Sequence, residues 1–192
     1  DLAESEPEKV AAMASDVKRY RQDVLRSAQA NRPFLVGHPE RPITVLPAQD
    51  GKCKGPSVKR SDSAPNCSFF TNIRTTEDTL YWELEFLQSG TYSVWIHYTA
   101  TESAVGKKLK MSFAENEFVG SIPAAHESPL RGDQNDRVTR KSESLMKNFQ
   151  ITKLGSLSLN AKRAMCELKL VESIDQPGGI EIQAIEFRPE KD

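Results

Sequence analysis

Alternation of apolar and polar residues is the feature of this chain that most limits its fold. Every second residue is apolar in the segment 80–86 and again in the segment 92–98. A period of two is typical of a β-strand that has one face in a core and the other in solvent. Ser89 and Gly90, between the two segments, are turn residues. The pattern predicts two strands joined by a short turn, either as a hairpin or as a pair that switches from one sheet to another.

Similar patterns recur along most of the chain. Short apolar or alternating segments lie at 43–46, 108–113, 118–122, 146–151, 157–159, 166–171 and 180–187, with a turn expected at Leu154-Gly155. No helical pattern separates them. About eight or nine short strands without intervening helices favour an antiparallel β-sandwich of the jelly-roll kind over an α/β sheet. The chain is therefore predicted to be mainly β.

One amphipathic helix is predicted ahead of the strands. Its apolar residues are three and four positions apart and share one face: Val10, Met13, Val17, Tyr20 and Val24. This spacing is that of a helix, and Pro7 suits its first turn. A lone helix with an apolar face must pack on something. We expect this face either to lie on another domain or to pair with a second copy of the chain.

The expected domain boundaries follow from these patterns. Residues 1–32 form the helical segment, 33–47 a Pro-rich connector with the first strand, and 48–192 the sandwich. The prolines of the connector exclude long regular structure. A chain that begins at Asp1 without methionine is expected to be a fragment of a longer protein.

Charge and hydropathy argue against two classes of partner. The chain has 192 residues and a net charge of −1, so no overall field draws it to nucleic acid. No apolar run approaches the roughly 20 residues that cross a membrane. We expect neither nucleic acid nor a membrane as a partner.

The three cysteines allow two interpretations. Cys53 and Cys67 lie in a Gly-, Pro- and Ser-rich stretch, where a disulfide between them would stabilise the loop by roughly 3 kcal/mol. Three free thiols are the alternative, because the count is odd. Cys166, within an apolar run, is expected to be a small buried hydrophobic residue.

One loop clusters the oxygen ligands that calcium prefers. Asp133, Asn135 and Asp136 follow Gly132 closely, and calcium-stabilised sandwiches carry such loops. The spacing does not match a complete calcium-binding loop, so a solvated polar loop is the alternative. A structural calcium is the one cofactor that we consider for this chain.

Outward-facing aromatic residues are candidates for stacking on sugar rings. If the 92–98 strand buries its apolar residues, Trp95 and His97 point to the other face, and Tyr81 is placed similarly if Trp82 is buried. Arg137 and Arg140, in the polar loop, suit a sulfate or carboxylate group. The alternative is that Trp95 packs beneath a loop and that the arginines are solvated.

The N-terminal segment resembles a known family. It reads Asp1-Leu2-Ala3-Glu4-Ser5-Glu6-Pro7-Glu8 and continues as the amphipathic helix. It is similar to the C-terminal closing segment of bacterial sulfatases of the N-acetylgalactosamine-6-sulfatase and arylsulfatase type. The resemblance implies a parent sulfatase that uses formylglycine and calcium, is periplasmic or secreted, and packs its catalytic domain on the apolar helix face.

The chain itself lacks the catalytic motif of that family. A sulfatase needs Cys or Ser followed by x-Pro/Ala-Ser-Arg, which is converted to formylglycine. The nearest approach, Ser63-Ala64-Pro65-Asn66-Cys67, has Cys67 where the arginine must stand. We expect no catalysis by this chain.

A second resemblance covers roughly residues 43–188. The strand at 89–98, the segment 154–161 and the two last strands resemble galactose-binding-like sandwiches and carbohydrate-binding modules. Together the two resemblances imply a non-catalytic ancillary domain of a sulfatase-like sulfuric ester hydrolase, whose ligand would be a polysaccharide, in particular a sulfated glycan. The alternative is a structural module that docks on the parent catalytic domain.

Overall fold

The computed structural model describes residues 4–28, 32–63, 66–132, 134–138 and 145–190. The chain divides into two compact units, residues 1–32 and 33–192.

The first unit is one helix, α1 (Pro7–Ala28). Its five predicted apolar residues are all exposed: Val10, Met13, Val17, Tyr20 and Val24. Asp16 and Arg19, one turn apart, form an ion pair of 2.7 Å. Among the described residues, no helix has both the length and the apolar character needed to span a membrane.

The second unit is a sandwich of two six-stranded sheets. Sheet A contains β1 (Phe34–Val36), β3 (Lys52–Lys54), β6 (Thr79–Phe86), β8 (Lys108–Phe113), β9 (Asn116–Ser121) and β11 (Arg163–Leu170). Sheet B contains β2 (Thr44–Pro47), β4 (Lys59–Arg60), β5 (Phe70–Ile73), β7 (Gly90–Ala100), β10 (Gln150–Leu159) and β12 (Ile180–Pro189). A 3-10 turn, Glu102–Ala104, follows β7. The predicted fold class, a mainly β sandwich preceded by one helix, is confirmed.

The strands β6 and β7 switch sheets rather than form a hairpin. β6 pairs with β1, β3 and β11 in sheet A, whereas β7 lies between β10 and β12 in sheet B. Both strands turn their apolar residues inward, so the turn at residues 87–89 carries the chain across the core. Sheet-switching is thus the correct one of the two predicted alternatives.

The turn predicted at Leu154-Gly155 is wrong. Gly155 lies within β10, where the register with β7 shifts between Lys153 and Gly155. A Cβ at Gly155 would be 2.4 Å from the Phe118 ring. This glycine therefore allows close approach of β9 and β10 at a bulge instead of ending a strand.

Aromatic rings fill the core between the sheets. The Phe86 ring centroid lies 5.0 Å from that of Tyr92, 4.8 Å from that of Phe113 and 5.4 Å from that of Phe187. All three contacts are edge-to-face, the geometry that aromatic pairs prefer. Trp82 is also buried, and its indole Nε1 donates to the Pro47 carbonyl oxygen at 3.0 Å. The contacts of Phe86 with Tyr92 and Phe187, and the hydrogen bond from Trp82 to Pro47, join sheet A to sheet B, whereas Phe86 and Phe113 are both in sheet A.

A buried carboxylate holds a loop beside β5. Asp78 has no exposed surface, and it accepts hydrogen bonds from the backbone N–H groups of Ser57, Val58, Arg74 and Thr75 at 2.8–3.0 Å and from the Ser57 hydroxyl. Burial alone would raise the pKa of Asp78, but these hydrogen bonds outweigh it and lower the pKa well below its usual range. The carboxylate is therefore ionised and fixes the 57–58 segment in place.

Candidate functional site

The surface of sheet B that faces away from the core carries a nearly continuous row of polar side chains. On β7, Ser93, Trp95, His97 and Thr99 alternate with core residues. Their partners in register on β12 are, in the same order, Arg188, Glu186, Ala184 and Glu181. Cross-strand partners share one face of a sheet. We call this surface the outer face of sheet B.

Two irregularities in strand pairing flank Glu181. β12 shifts its register against β7 between Ile182 and Ala184. On the other side, β5 has two residues, Thr71 and Asn72, between the pairs that bracket Glu181. Asn72 has a φ of 59°, a left-handed conformation that asparagine tolerates better than most residues. Such bulges re-aim side chains, and they often lie beside functional sites.

A polar cavity of about 220 Å³ opens at this point, and we call it the Glu181 cavity. Its lining comprises Thr71, Asn72, Thr99, Ala100, Thr101, Glu127, Ser128, Lys147, Gly178, Gly179 and Glu181. The lining side chains are mainly hydroxyl, amide, carboxylate and ammonium groups. Such a cavity suits a ligand that both donates and accepts many hydrogen bonds.

The Glu181 carboxylate organises the floor of the cavity. One oxygen accepts from the Thr71 hydroxyl at 2.8 Å. The other accepts from the Thr99 hydroxyl at 2.5 Å and from Lys147 Nζ at 2.6 Å. The side chains of Lys147 and Glu181 are only 19% and 17% exposed. These groups hold one another in place before any ligand arrives. Ligand binding therefore loses little conformational entropy in ordering them.

An aromatic pair supports Lys147 from below. Its Nζ lies 5.6 Å from the centroid of the Phe69 ring, and the Phe69 and Phe149 centroids are 5.5 Å apart. Phe69 is buried, yet it is not a member of the core between the sheets. The segment that precedes β10 is thereby anchored on the outer face of sheet B and forms one wall of the cavity.

The rim of the cavity depends on two glycines. Gly178 and Gly179 have φ values of 101° and 119°, which only glycine adopts readily. A Cβ on Gly178 would be 2.4 Å from the Thr101 methyl group, and the Gly179 N–H donates to the Thr101 hydroxyl at 3.3 Å. The rim is therefore a tight backbone wall.

A second cavity of about 370 Å³ lies beside the first. It is lined by Val45, Pro47, Gln49, Cys67, Ser68, His97, Met146, Gln183 and Ala184, and we call it the His97 cavity. His97 is two residues from Thr99 along β7, a separation of roughly 7 Å at the rise of a strand. One extended ligand could therefore contact both cavities.

Trp95 and His97 are linked through Glu186 and Arg188. Glu186 accepts from His97 Nε2 at 3.1 Å and from Arg188 Nε at 2.7 Å, and the Arg188 guanidinium lies 4.3 Å from the centroid of the Trp95 ring. Burial acts to raise the pKa of Glu186, but the hydrogen bonds from Arg188 and His97 outweigh it and lower the pKa. Arg188 therefore covers one face of the Trp95 ring.

Tyr81 lies on the opposite side of the sandwich from Trp95 and His97. It pairs in register with Lys52 and Glu167 in sheet A. Its neighbour Trp82 is buried as expected, so Tyr81 does point outward. The two sheets turn their outer faces in opposite directions, and these three predicted residues cannot form one site.

The polar loop contributes little to the described site. Arg137, Asn135 and Asp136 are exposed, whereas Arg140 and Asp133 lie outside the described residues. Within the described ranges, no group of three or more His, Cys, Asp or Glu residues is arranged to hold a metal ion. The calcium site stays a prediction.

All three cysteines are free thiols in this structure. Burial raises the pKa of Cys53, and nearby Cys67 adds to that rise. Cys67 is buried and donates to the Phe69 carbonyl oxygen at 3.3 Å. The disulfide between Cys53 and Cys67 stays a prediction for the oxidised protein. Cys166 is fully buried, which raises its pKa to about 12.

Sequence reasoning missed the residues that form the Glu181 cavity. Thr99 shares the outward phase of Trp95 on β7, and Glu181 alternates with the buried Ile180 and Ile182. This local alternation is the signal that could have found them, although the register shift in β12 puts Glu181 out of phase with Glu186. Lys147 and Glu127 come from a loop, whose placement no periodic pattern reports.

Comparisons with known proteins identify the fold of the sandwich. No family model and no curated relative matches this sequence. The CBM36-1 domain of a multidomain xylanase from the hindgut metagenome of Trinervitermes trinervoides is similar in structure, with a TM-score of 0.52 and 9% identity over 78% of this chain and 99% of that one.

Two larger proteins contain a similar sandwich. A GH26-CBM35 β-(1,4)-mannanase of Podospora anserina has a TM-score of 0.50 and 14% identity over 78% of this chain and 28% of its own. The mosquito-larvicidal Cry4Aa toxin of Bacillus thuringiensis has a TM-score of 0.52 and 14% identity over 78% of this chain and 24% of its own. This chain thus spans about a quarter of either protein. None of the three is described as a sulfatase, and at these identities the likeness concerns the fold alone. The sandwich has the fold of carbohydrate-binding modules.

Proposed function

We propose that the sandwich is a non-catalytic module that binds carbohydrate on the outer face of sheet B. The observation that carries the proposal is the Glu181 cavity, where a carboxylate, an ammonium group and several hydroxyls are held in fixed positions. Sugars present closely spaced hydroxyls, each both donor and acceptor, and such preorganised groups match them. Similar folds in a xylanase domain and a mannanase agree with this class of ligand.

Two features argue for binding without catalysis. The Glu181 carboxylate already accepts three hydrogen bonds, including one from a lysine, so both of its oxygens are engaged by neighbouring side chains. The nearest approach to a formylglycine motif, residues 63–67, has Cys67 at the position of the required arginine.

The ligand would extend along the sheet through both cavities. The Glu181 cavity supplies hydrogen bonds, and the His97 cavity adds apolar surface from Val45, Met146 and Ala184. Because Arg188 covers one face of Trp95, we place the main contacts at the cavities rather than on this ring. This differs from the sequence-based expectation of a Trp95-centred site.

A binding panel tests the proposal. Xylan, β-mannan and mixed-linkage β-glucan oligosaccharides would be titrated by calorimetry into the chain and into Glu181→Gln and Lys147→Met. We expect binding of at least one of them, weakened about tenfold or more by either change through lost charge-assisted hydrogen bonds. Lys110→Met is the matched control, because Lys110 forms an exposed ion pair with Glu117 on sheet A. Binding that neither cavity variant weakens would refute the site.

The parent sulfatase, its exported location and docking on its catalytic domain remain predictions from the N-terminal resemblance. The observation that favours docking is the exposed apolar face of α1, because such a face normally acquires a partner. Removing residues 1–32 separates the two roles: glycan binding by the sandwich should survive, whereas association with a catalytic domain should not.

A structural calcium ion at residues 133–136 also remains a prediction. Thermal unfolding in calcium and in chelator, for the chain and for Asn135→Ala, tests it. A calcium-dependent rise in Tm that the variant lacks would support the ion, and superimposable curves would discard it.

A further inference from the structure

We infer that the Glu181 cavity selects uncharged sugars and disfavours sulfated or carboxylated ones, an inference that rests on the proposed function. The inference rests on the charges of the side chains that line the cavity. Two carboxylates, Glu127 and Glu181, line the cavity against one cation, Lys147. The lining is therefore net negative before a ligand enters.

Lys147 is not available to a ligand anion. Its Nζ lies 2.6 Å from a Glu181 oxygen, and both side chains are largely buried. A sulfate group that recruited Lys147 would leave a buried Glu181 without its counter-charge, which costs more than an exposed ion pair returns. The pair behaves as a neutral hydrogen-bonding unit.

Glu127 makes the cavity repel anions. It is exposed at the cavity wall, and no described residue forms an ion pair or hydrogen bond with it. A neutral sugar hydroxyl can donate a hydrogen bond to this carboxylate. A sulfate oxygen has no hydrogen to donate, and its negative charge is repelled by the carboxylate. At about 4 Å in water, like charges cost about 1 kcal/mol, which is about fivefold in affinity.

Two cations lie near the cavity without lining it. The first is Arg74, whose Cγ would be 2.7 Å from a Cβ on Gly179, and the second is Lys59. Lys59 on β4 pairs in register with Thr71 and is exposed, but it does not line the cavity. Farther along the same face, Arg188 is engaged by Glu186. The described residues thus provide no unpaired cation inside the cavity, contrary to the sequence-based expectation of a sulfated ligand.

The test compares one oligosaccharide with its sulfated form. A hexasaccharide of the polymer bound in the panel is titrated by calorimetry before and after chemical sulfation, at low and at high salt. We expect the neutral form to bind at least about fivefold more tightly at low salt, with a smaller difference at high salt because ions screen the exposed Glu127. Glu127→Gln should raise the affinity for the sulfated form severalfold and so narrow the difference in affinity between the two forms.

Controls separate this inference from the proposed function. Glu117→Gln, the same charge change on sheet A, should alter neither affinity. Tighter binding of the sulfated form would overturn the inference but not the proposed function, and so would a Glu127→Gln variant with unchanged discrimination. A preference for the sulfated form that disappears in Lys59→Met would assign anion recognition to β4. That result would also overturn the inference. Failure of every neutral polymer and its sulfated form to bind would refute the proposed function itself.

Discussion

Replacement of Asp78 by asparagine should destabilise the sandwich strongly. One carboxylate oxygen accepts from Ser57 N and Val58 N, and the other from Arg74 N, Thr75 N and the Ser57 hydroxyl. Asparagine has one acceptor oxygen, so its NH₂ group must face at least two backbone N–H donors. Each buried donor left without a partner costs about 1–3 kcal/mol. We therefore expect the free energy of unfolding to fall by about 2–6 kcal/mol.

The consequence should reach the Glu181 cavity. The Ser57 carbonyl, held beside Asp78, accepts from Asn72 Nδ2 at 2.7 Å, and Asn72 lines the cavity. Loosening the 57–58 segment removes that support from a residue in a left-handed conformation. Asp78→Asn should therefore weaken glycan binding even where the domain remains folded.

The contribution of Asp78 also has a defined pH dependence. Because the pKa of Asp78 is lower in the folded than in the unfolded protein, the unfolded state binds more protons in acid. Stability from this group is thus fully present above the ordinary aspartate pKa of about 4 and is lost as pH falls below it. The variant should show a flatter decline in stability below pH 4 than the unchanged protein.

Urea unfolding followed by tryptophan fluorescence measures the loss of stability and its pH dependence. Both tryptophans, Trp82 and Trp95, belong to the sandwich and report its unfolding. Asp50→Asn, at an exposed turn, is the matched control and should change the free energy of unfolding by less than about 0.5 kcal/mol. A loss below about 1 kcal/mol for Asp78→Asn, or parallel acid profiles of variant and parent, would refute the reasoning.

Three further predictions concern packing and binding. Phe86→Ala should lower the free energy of unfolding by about 3–5 kcal/mol because it empties the centre of the aromatic core; a loss under 1 kcal/mol in urea unfolding would contradict that packing. Gly155→Ala should lower the free energy of unfolding by about 1–3 kcal/mol because its Cβ would lie 2.4 Å from the Phe118 ring. An unchanged Tm would show that β9 shifts to accommodate the methyl group without loss of stability. Trp95→Ala should change glycan affinity by less than about threefold, since Arg188 covers one face of the ring and the main contacts are proposed at the cavities; a tenfold loss by calorimetry would return the main contact to Trp95.

The local phase of the strands could be predicted well from sequence. The inward residues of β6 and β7 are the predicted ones, from Leu80 to Phe86 and from Tyr92 to Tyr98. A two-residue period is a property of one strand, so it can be read from neighbouring residues alone. The same holds for α1, whose apolar spacing needs no information from elsewhere in the chain.

The candidate site could be predicted only in part. Trp95 and His97 do point outward together, linked through Glu186, whereas Tyr81 points outward on the other sheet. Alternation says that a residue leaves the core, but not which of two sheets its strand joins. Glu181 and Lys147, which organise the cavity, are 34 positions apart in sequence, and no local pattern relates them.

Sequence alone thus determined the class of fold, because alternation and helical spacing are short-range properties of the chain. Only the tertiary structure decided which strands share a sheet, where β5, β10 and β12 depart from regular pairing, and which loop residues meet Glu181. These choices depend on contacts between distant segments, whose energy lies in the packing of whole sheets and loops rather than in the preference of any single residue. The proposed carbohydrate site is a product of those long-range contacts.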